Sequence, residues 1–489
     1  MTPLLSKSTF IRSLQCQKSL YLYKNFYHLR DEISQERQYV FERGHDVGRL
    51  AQQLFPGGVD VGWQSPKEYE QSVSRTNQCI SEGINVIYEA SFVWNNVLVA
   101  ADILVKEGSG WHIYEVKSSL GISETYLRDA ALQLYIATKS GLEINGISII
   151  HLNKSYIRKE ELELDQLFQI EDVTNRVEAR MNEIVFGLID ARTTLSQKFI
   201  PDIKIGPHCE SPYTCDFKGY CGWNRMPVNS IFQLDDLEEE QKWDLFQNNV
   251  LDFRDIPEEY QLNPLQKIAL KSRISGEVFI EVEAIKSHLA KIVAPAAFLD
   301  IQVFRPAVPL TSGAHPYAQI PFGYCIKNMD DQESRIYIAE AGFDFEEKLL
   351  EQFISDSNDY QTLICFDKQR QSNALKRITE RFPQYKDETE KRFESIIDLS
   401  EIFKNRHFYH PKMKENLRVL PAVFGLETEL NKDDKIKSDS LAGTAFEYLY
   451  KDGDLMHAIE IKEMLKSYMK GNIEAISLIY KGLLMINDQ

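Results

Sequence analysis

Three charged side chains set inside apolar strands constrain this chain more than any other feature. The stretch Glu89–Ser119 reads EASFVWNNVLVAADILVKEGSGWHIYEVKSS. Its apolar runs, 91–94, 97–105 and 111–117, are short and rich in β-branched and aromatic residues. Asn95-Asn96 and Glu107-Gly108-Ser109-Gly110 separate them. That pattern predicts a meander of strands joined by tight turns. Asp102 lies inside the second run, and Glu115 and Lys117 inside the third. A charge buried in a sheet is costly unless it is paired or bound to a cation. Residues 115 and 117 are two apart and share a face. If 97–105 and 111–117 pair as a hairpin, Asp102 comes near Glu115. Two carboxylates then stand ready for a divalent cation, with an ammonium beside them.

The spacing Asp-x12-Glu-x-Lys resembles the signature of PD-(D/E)xK nucleases. The residue types suit the chemistry. A phosphodiester resists attack because it is anionic, and a hard cation held by carboxylates activates water and neutralises developing charge. On this resemblance Asp102 and Glu115 hold Mg²⁺ or Mn²⁺, with the Val116 carbonyl as a further ligand. Lys117 stabilises the phosphate, and Glu89 assists the metal. The bland alternative is a surface hairpin with a chance Glu–Lys pair, since E-x-K is common.

Length and charge bound the rest. A chain of 489 residues is long enough for two to four domains. No apolar run approaches the length of a membrane span, and MTPLLSKSTFIRSLQC lacks a signal-peptide core, so a cytoplasmic location is expected. The net charge of −17 argues against loose coating of DNA, though not against a local basic groove. The cysteines number seven, at 16, 79, 209, 215, 221, 325 and 365. An odd set with no export signal points to metal binding or burial rather than a disulfide framework.

Within SKSTFIRSLQCQKSLYLYKNF, Ser6 or Ser8 is a helix cap and Cys16 sits mid-segment. A second helix is expected over 35–54 and a third over 66–82. SETYLRDAALQLYIATKS (123–140) predicts a helix capped by Ser123 and stopped by Gly141, with Ala130, Ala131, Leu134 and Ile136 as its apolar face. INGISIIHLNKSY then returns as a strand. PHCESPYTCDFKGYCGW places Cys209, Cys215 and Cys221 at C-x5-C-x5-C spacing. Zinc sites usually show C-x2-C pairs. The wider spacing suits a four-thiolate iron–sulfur cluster better, with Cys16 the distant fourth ligand and Cys79 buried. Zinc remains the alternative metal.

Taken together, SKSTFIRSLQCQKSLYL, FERGHDVGRLAQQLFPGG, AADIL, YEVKSS, DAALQLY and HCESPYTCDFKGYC resemble RecB-type nucleases with an iron–sulfur staple. CRISPR adaptation nucleases and AddB-type nucleases share this layout. The resemblance implies a 4Fe–4S cluster on Cys16, Cys209, Cys215 and Cys221, and it implies that Gln133 and Tyr135 line the active site. It implies single-stranded DNA or duplex ends as substrate, in repair or defence. One departure stands out. Related nucleases often carry Gly-x3-His in the early helix, with the His at a metal. Here the match is Gly44-x3-Gly48, and His45 lies on a different face.

The chain is expected to divide into 1–225, a nuclease with a restriction-endonuclease-like mixed sheet; 226–292, an acidic helical connector; and 293–489. The last part resembles a ribonuclease-H-like exonuclease of the DEDD type. That active site needs four carboxylates for two metals. Asp300 and Asp398 match, but Gln302 and Asn472 stand where the family has carboxylates. The resemblance therefore implies a retained fold without activity. A second reading of the whole chain is an inactive nucleic-acid-binding or scaffold subunit working with a protein partner in a repair or defence complex.

Overall fold

The computed structural model describes residues 4–63, 68–330, 333–340, 342, 345–414, 416–426, 435–451 and 455–487. The chain is mixed α/β and falls into two compact units. Unit 1 comprises Met1–Met226 with Ala307–Pro309, and unit 2 comprises Pro227–Pro306 with Leu310–Gln489. The segment expected as a separate connector therefore belongs to unit 2. Ile231, Leu234, Leu245 and Phe253 share a core with Phe298, Ile364 and Phe403, and that burial leaves no independent connector domain. No helix among the described residues is long and apolar enough to cross a membrane.

In unit 1 the elements run β1 (Leu5–Ser6), α1 (Lys7–Gln15), α2 (Gln17–Asn25), α3 (Gln35–Gln52), β2 (Val59–Asp60), α4 (Tyr69–Ser81), β3 (Val86–Trp94), β4 (Val97–Glu107), β5 (Gly110–Lys117), α5 (Glu124–Lys139), β6 (Ile144–Leu152), β7 (Phe168–Asp172) and α6 (Met181–Ser196). The helix expected over 66–82 is α4; residues 66 and 67 lie outside the described residues. The sheet order is β2-β3-β4-β5-β6-β7, with β1 paired to β4. The β3–β4–β5 meander is antiparallel, and β5 and β6 are parallel. Helix α5 makes the crossover a parallel pair requires.

Both hairpin turns follow from the residues that fill them. Asn95 and Asn96 take φ of +47° and +57° between the paired Trp94 and Val97, and asparagine tolerates that left-handed region best after glycine. Gly108, at φ +59°, turns β4 into β5. Ser123 caps α5 by accepting from the Tyr126 N–H at 3.3 Å, and Gly141, at φ +95°, follows its end. The expected apolar face of α5 is buried against the sheet with Trp111, Ile113 and Ile147. Leu134 and Ile136 contribute roughly 1.5–3 kcal/mol each when fully buried, and each alanine methyl roughly 0.8 kcal/mol. Cys16 departs from expectation. It lies at a break between α1 and α2, with extended backbone at φ −161°, and its carbonyl opens α2 by accepting from the Leu20 N–H.

Unit 2 holds a five-stranded sheet of β8 (Ala296–Phe304), β9 (Ile320–Asn328), β10 (Ser334–Ile338), β11 (Thr362–Cys365) and β12 (Ile396–Asp398), in the order β10-β9-β8-β11-β12. The central strand β8 is buried along its whole length. The helices that frame its polar centre are α7 (Lys368–Arg381), α8 (Asp439–Lys451) and α9 (Leu455–Asn487). Gly443 lets α8 lie close on β8, because a Cβ there would come within 2.9 Å of the Val303 carbonyl.

Candidate active site

Strand register assembles the site in unit 1. Glu89 falls between the pairs Tyr88–Ile103 and Ala90–Ala101, level with Asp102. Asp102 is one residue beyond the pair Ile103–Tyr114, level with Glu115. Three carboxylates thus stand in one row across β3, β4 and β5. Like charges directly opposite one another destabilise a sheet. The backbone shows strain at the same place. Glu89 has φ +57°, a region a non-glycine residue enters at a cost of order 1–3 kcal/mol.

Glu115 is almost fully buried and its oxygens are engaged. Its Oε1 accepts from Lys117 Nζ at 2.6 Å and from Lys7 Nζ at 2.8 Å, and its Oε2 accepts from Gln133 Nε2 at 2.7 Å. Lys117 also donates to Asp129 Oδ2 at 2.6 Å. Asp102 Oδ2 accepts the Val116 backbone N–H at 2.6 Å. Val116, whose carbonyl the resemblance made a metal ligand, joins the site here through its backbone N–H.

The titration behaviour follows from this packing. Burial pushes the Asp102 carboxyl well above its usual range, and the neighbouring Glu115 pushes it the same way. Burial, opposed by Lys7 and reinforced by Glu115 and Asp60, raises Glu89 to about 7. For Glu115 burial is outweighed by Lys117 and Lys7, and its carboxyl is held far below the ordinary value. For Lys117 burial is likewise outweighed, by Asp129 and Glu115, so it remains an ammonium.

The structure brings Glu89, Asp102, Glu115, Lys117 and Gln133 together. Tyr135 does not join them. Residues two apart on a helix point about 200° apart, and the Tyr135 ring packs edge-on against Trp94 at 5.7 Å between centroids. Two members escaped the sequence reading. Lys7 is 108 residues away from Glu115, and Asp129 was lost among the apolar residues of α5. The signal for Asp129 was its place four residues before Gln133, one helical turn away on the same face. Gly48 brings no side chain to the site, a Cβ there would meet nothing within 4 Å, and His45 is exposed.

Among the described residues no three His, Cys, Asp or Glu side chains are already gathered as a metal-ligand group. The two lysines crowd Glu115 Oε1, and a backbone amide engages Asp102. The donor chemistry nonetheless fits a hard cation. Three carboxylates stand abreast, and the Gln133 Oε1 beside them is buried without a partner.

The cysteine segment is clasped to the N-terminal helices. Asp216 accepts from Arg12 at 2.7 Å, from Arg30 at 3.0 Å and from Arg37. Gln15 Nε2 donates to the carbonyls of His208 at 2.7 Å and Tyr213 at 2.5 Å. The Cys215 N–H donates to the Cys209 carbonyl at 2.8 Å, and the Cys215 thiol lies 3.5 Å from Ser19 Oγ. Burial pushes the Cys209 thiol up to about 11, with Cys215, Cys16 and Cys221 adding to the rise. Cys16, Cys215 and Cys221 are thus near enough to act on the charge of Cys209, although among the described residues no three of them are gathered as a ligand group. As thiolates they would repel one another, which suits an iron-containing cluster or a metal. Cys79 is buried apart from them in the sheet core.

In unit 2 the Asp300 carboxylate is completely buried. Gln302 donates to its Oδ2 at 2.7 Å and Asn472 at 3.0 Å, while Arg370 donates to its Oδ1 at 3.2 Å. Burial raises Asp300 above the usual carboxylate range despite Arg370. Asp398 does not join this group. Its carboxylate accepts three backbone N–H groups, from Asp367 at 2.9 Å, Lys368 at 3.0 Å and Ser400 at 2.8 Å, and so shapes the turn into α7. Asp439 approaches instead, bound to Arg370 and to the Tyr468 hydroxyl.

No curated protein matches the chain. A family described as a domain of unknown function (DUF2779) matches residues 297–416, which span β8 to the stretch beyond β12.

Proposed function

We propose that unit 1 is a metal-dependent deoxyribonuclease with a restriction-endonuclease-like fold, acting on single-stranded DNA or duplex ends in repair or defence. The observation that carries the reading is the row Glu89–Asp102–Glu115 across three strands with Lys117 fixed beside it. Asp102 and Glu115, with Glu89, would hold Mg²⁺ or Mn²⁺. Such a cation supplies Lewis-acid chemistry, neutralising charge at the phosphate and activating water. Lys117, kept protonated by Glu115 and Asp129, presents a fixed positive charge to the phosphate as negative charge builds there. Gln133 orients the Glu115 carboxylate. Cys16, Cys209, Cys215 and Cys221 would hold a structural 4Fe–4S cluster that ties the first helices to the segment after α6.

Unit 2 supports a different role. A ribonuclease-H-like exonuclease needs several ionised carboxylates together, whereas Asp300 is held by three neutral amides, from Gln302, Asn472 and Gln371, and a guanidinium. We read it as a non-catalytic module for binding nucleic acid or a protein partner.

The test is cleavage of labelled single- and double-stranded DNA with Mn²⁺. The wild-type chain should cut, and Lys117→Ala should be slower by roughly 10²-fold or more, the size expected for losing one preorganised charge. Equal rates, or binding without turnover under every divalent cation, would reject the nuclease in favour of a scaffold.

A further inference from the structure

Lys7 reaches the carboxylate row from the opposite end of the fold's sequence. It is the first residue of α1, and Ser6 caps that helix through a reciprocal box with Thr9. Leu5 and Ser6 pair with Val97 and Leu98 of β4, so the backbone that carries Lys7 is anchored to the strand that carries Asp102. Its ammonium lies 2.8 Å from Glu115 Oε1 and 3.6 Å from Asp129 Oδ2. Lys117 holds the same two carboxylates, each at 2.6 Å. The two lysines differ in access. The Lys7 side chain is 28% exposed and that of Lys117 is 16% exposed.

This geometry divides the work. One carboxylate oxygen cannot serve two ammoniums and a divalent cation together. Lys117 is tied tightly to Asp129 and keeps its place. Lys7 has the longer second contact and the more open approach, so it is the one that yields. Glu89, Asp102, Glu115 and Asp129 set against two lysines leave two negative charges over when all are ionised, the charge of one divalent cation. A lysine displaced from Glu115 stays within reach of whatever anion enters the site.

We infer that Lys7 is a second phosphate-contacting lysine: it holds Glu115 Oε1 while the site is empty, vacates it for a divalent cation, and turns its charge to the substrate phosphate. This rests on the nuclease reading. Lys7 is thereby a competitor of the metal and a partner of the DNA, two effects of opposite sign in one side chain.

The experiment measures the two separately on the full chain. Ca²⁺ and Mn²⁺ affinities are read by calorimetry without DNA, and affinity for a short single strand is read in Ca²⁺ at several salt concentrations. Lys7→Met should bind the cation at least about tenfold more tightly, the lower bound for removing a unit charge ~5 Å from a divalent ion, set by a water-like dielectric. It should bind the strand several-fold more weakly, with a salt slope shallower by about 0.7, the value for one phosphate contact. Lys7→Arg should restore strand affinity, because it keeps the charge. Cation affinity that is unchanged or weaker in Lys7→Met overturns the inference, as does unchanged strand affinity. A merely structural role would weaken both and would not be rescued by arginine. If the wild type cleaves DNA while these shifts are missing, the Lys7 inference alone fails. If the wild type binds no divalent cation and cleaves nothing, the nuclease reading fails with it.

Discussion

Asp216 offers a perturbation whose size can be worked from the structure. Its side chain is 2% exposed and pairs with three guanidiniums, from Arg12, Arg30 and Arg37. Burial opposes its charge, but the bonds and charges of Arg12 and Arg37 outweigh that and hold its carboxyl below the usual range. Removing one partner of a buried ion pair costs about 3–5 kcal/mol. Arg12 and Arg30 are each less than one-fifth exposed and bear most of the loss in Asp216→Ala. Arg37 is about one-third exposed and rehydrates, so it adds at most ~1 kcal/mol. The expected destabilisation of unit 1 is therefore about 3 kcal/mol, a large part of the ~5–15 kcal/mol typical of a domain. Asp216→Asn keeps one acceptor and should lose about half as much. Urea unfolding followed by tryptophan fluorescence reports mainly unit 1, which holds Trp63, Trp94, Trp111 and Trp223; Trp243 of unit 2 is replaced by Phe in the wild-type and variant backgrounds so that the signal comes from unit 1 alone. The midpoint should fall by about 1 M or more at ordinary urea sensitivity. In metal-free protein the buried Cys209 thiol should react with Ellman's reagent about a hundredfold faster, since local opening is favoured by the same energy. An unchanged midpoint with a Cys209 rate within about threefold of wild type would refute the clasp.

Further outcomes follow from the two sites. Glu89 titrates near 7, above its unfolded range, so its proton stabilises the cation-free fold at low pH, and that contribution disappears as pH rises from about 4.5 through 7. The metal needs the same group ionised, so stabilisation by Mn²⁺ in thermal melts should be larger at pH 8 than at pH 5.5; equal stabilisation would exclude Glu89 as a ligand. Protein purified without oxygen should be brown and carry about four iron atoms, the content of a 4Fe–4S cluster, and Cys16→Ser should be colourless; a colourless, zinc-loaded wild type would replace the cluster by zinc. In unit 2 the pair Gln302→Glu and Asn472→Asp adds two buried carboxylates beside Asp300. That variant should melt lower and be rescued by Mn²⁺, whereas wild-type unit 2 should be indifferent to the cation.

Local pattern carried much of unit 1. Asn95-Asn96 and Gly108 mark turns by the backbone they tolerate, Ser123 marks a cap, and the apolar runs mark strands, because each depends on a few adjacent residues. Given those turns, the register follows, and with it the meeting of Asp102 and Glu115 that their spacing implied. The resemblance misled at Tyr135, which it paired with Gln133 and which helix geometry turns away.

What only the tertiary structure decided lies in pairings between distant segments. Lys7 meets Glu115 because β1 pairs with β4 and aims the start of α1 at the row. Asp216 gathers Arg12, Arg30 and Arg37 because the cysteine segment folds back on the first helices. Asp439 is drawn toward Arg370 from α8, which lies close on β8 at Gly443, while backbone amides claim Asp398. Amino-acid order determined the strands, the turns and the chemistry of the row. The partners that saturate its charges were settled by packing, since a buried charge bonds whatever the fold places within about 3 Å, however distant in sequence.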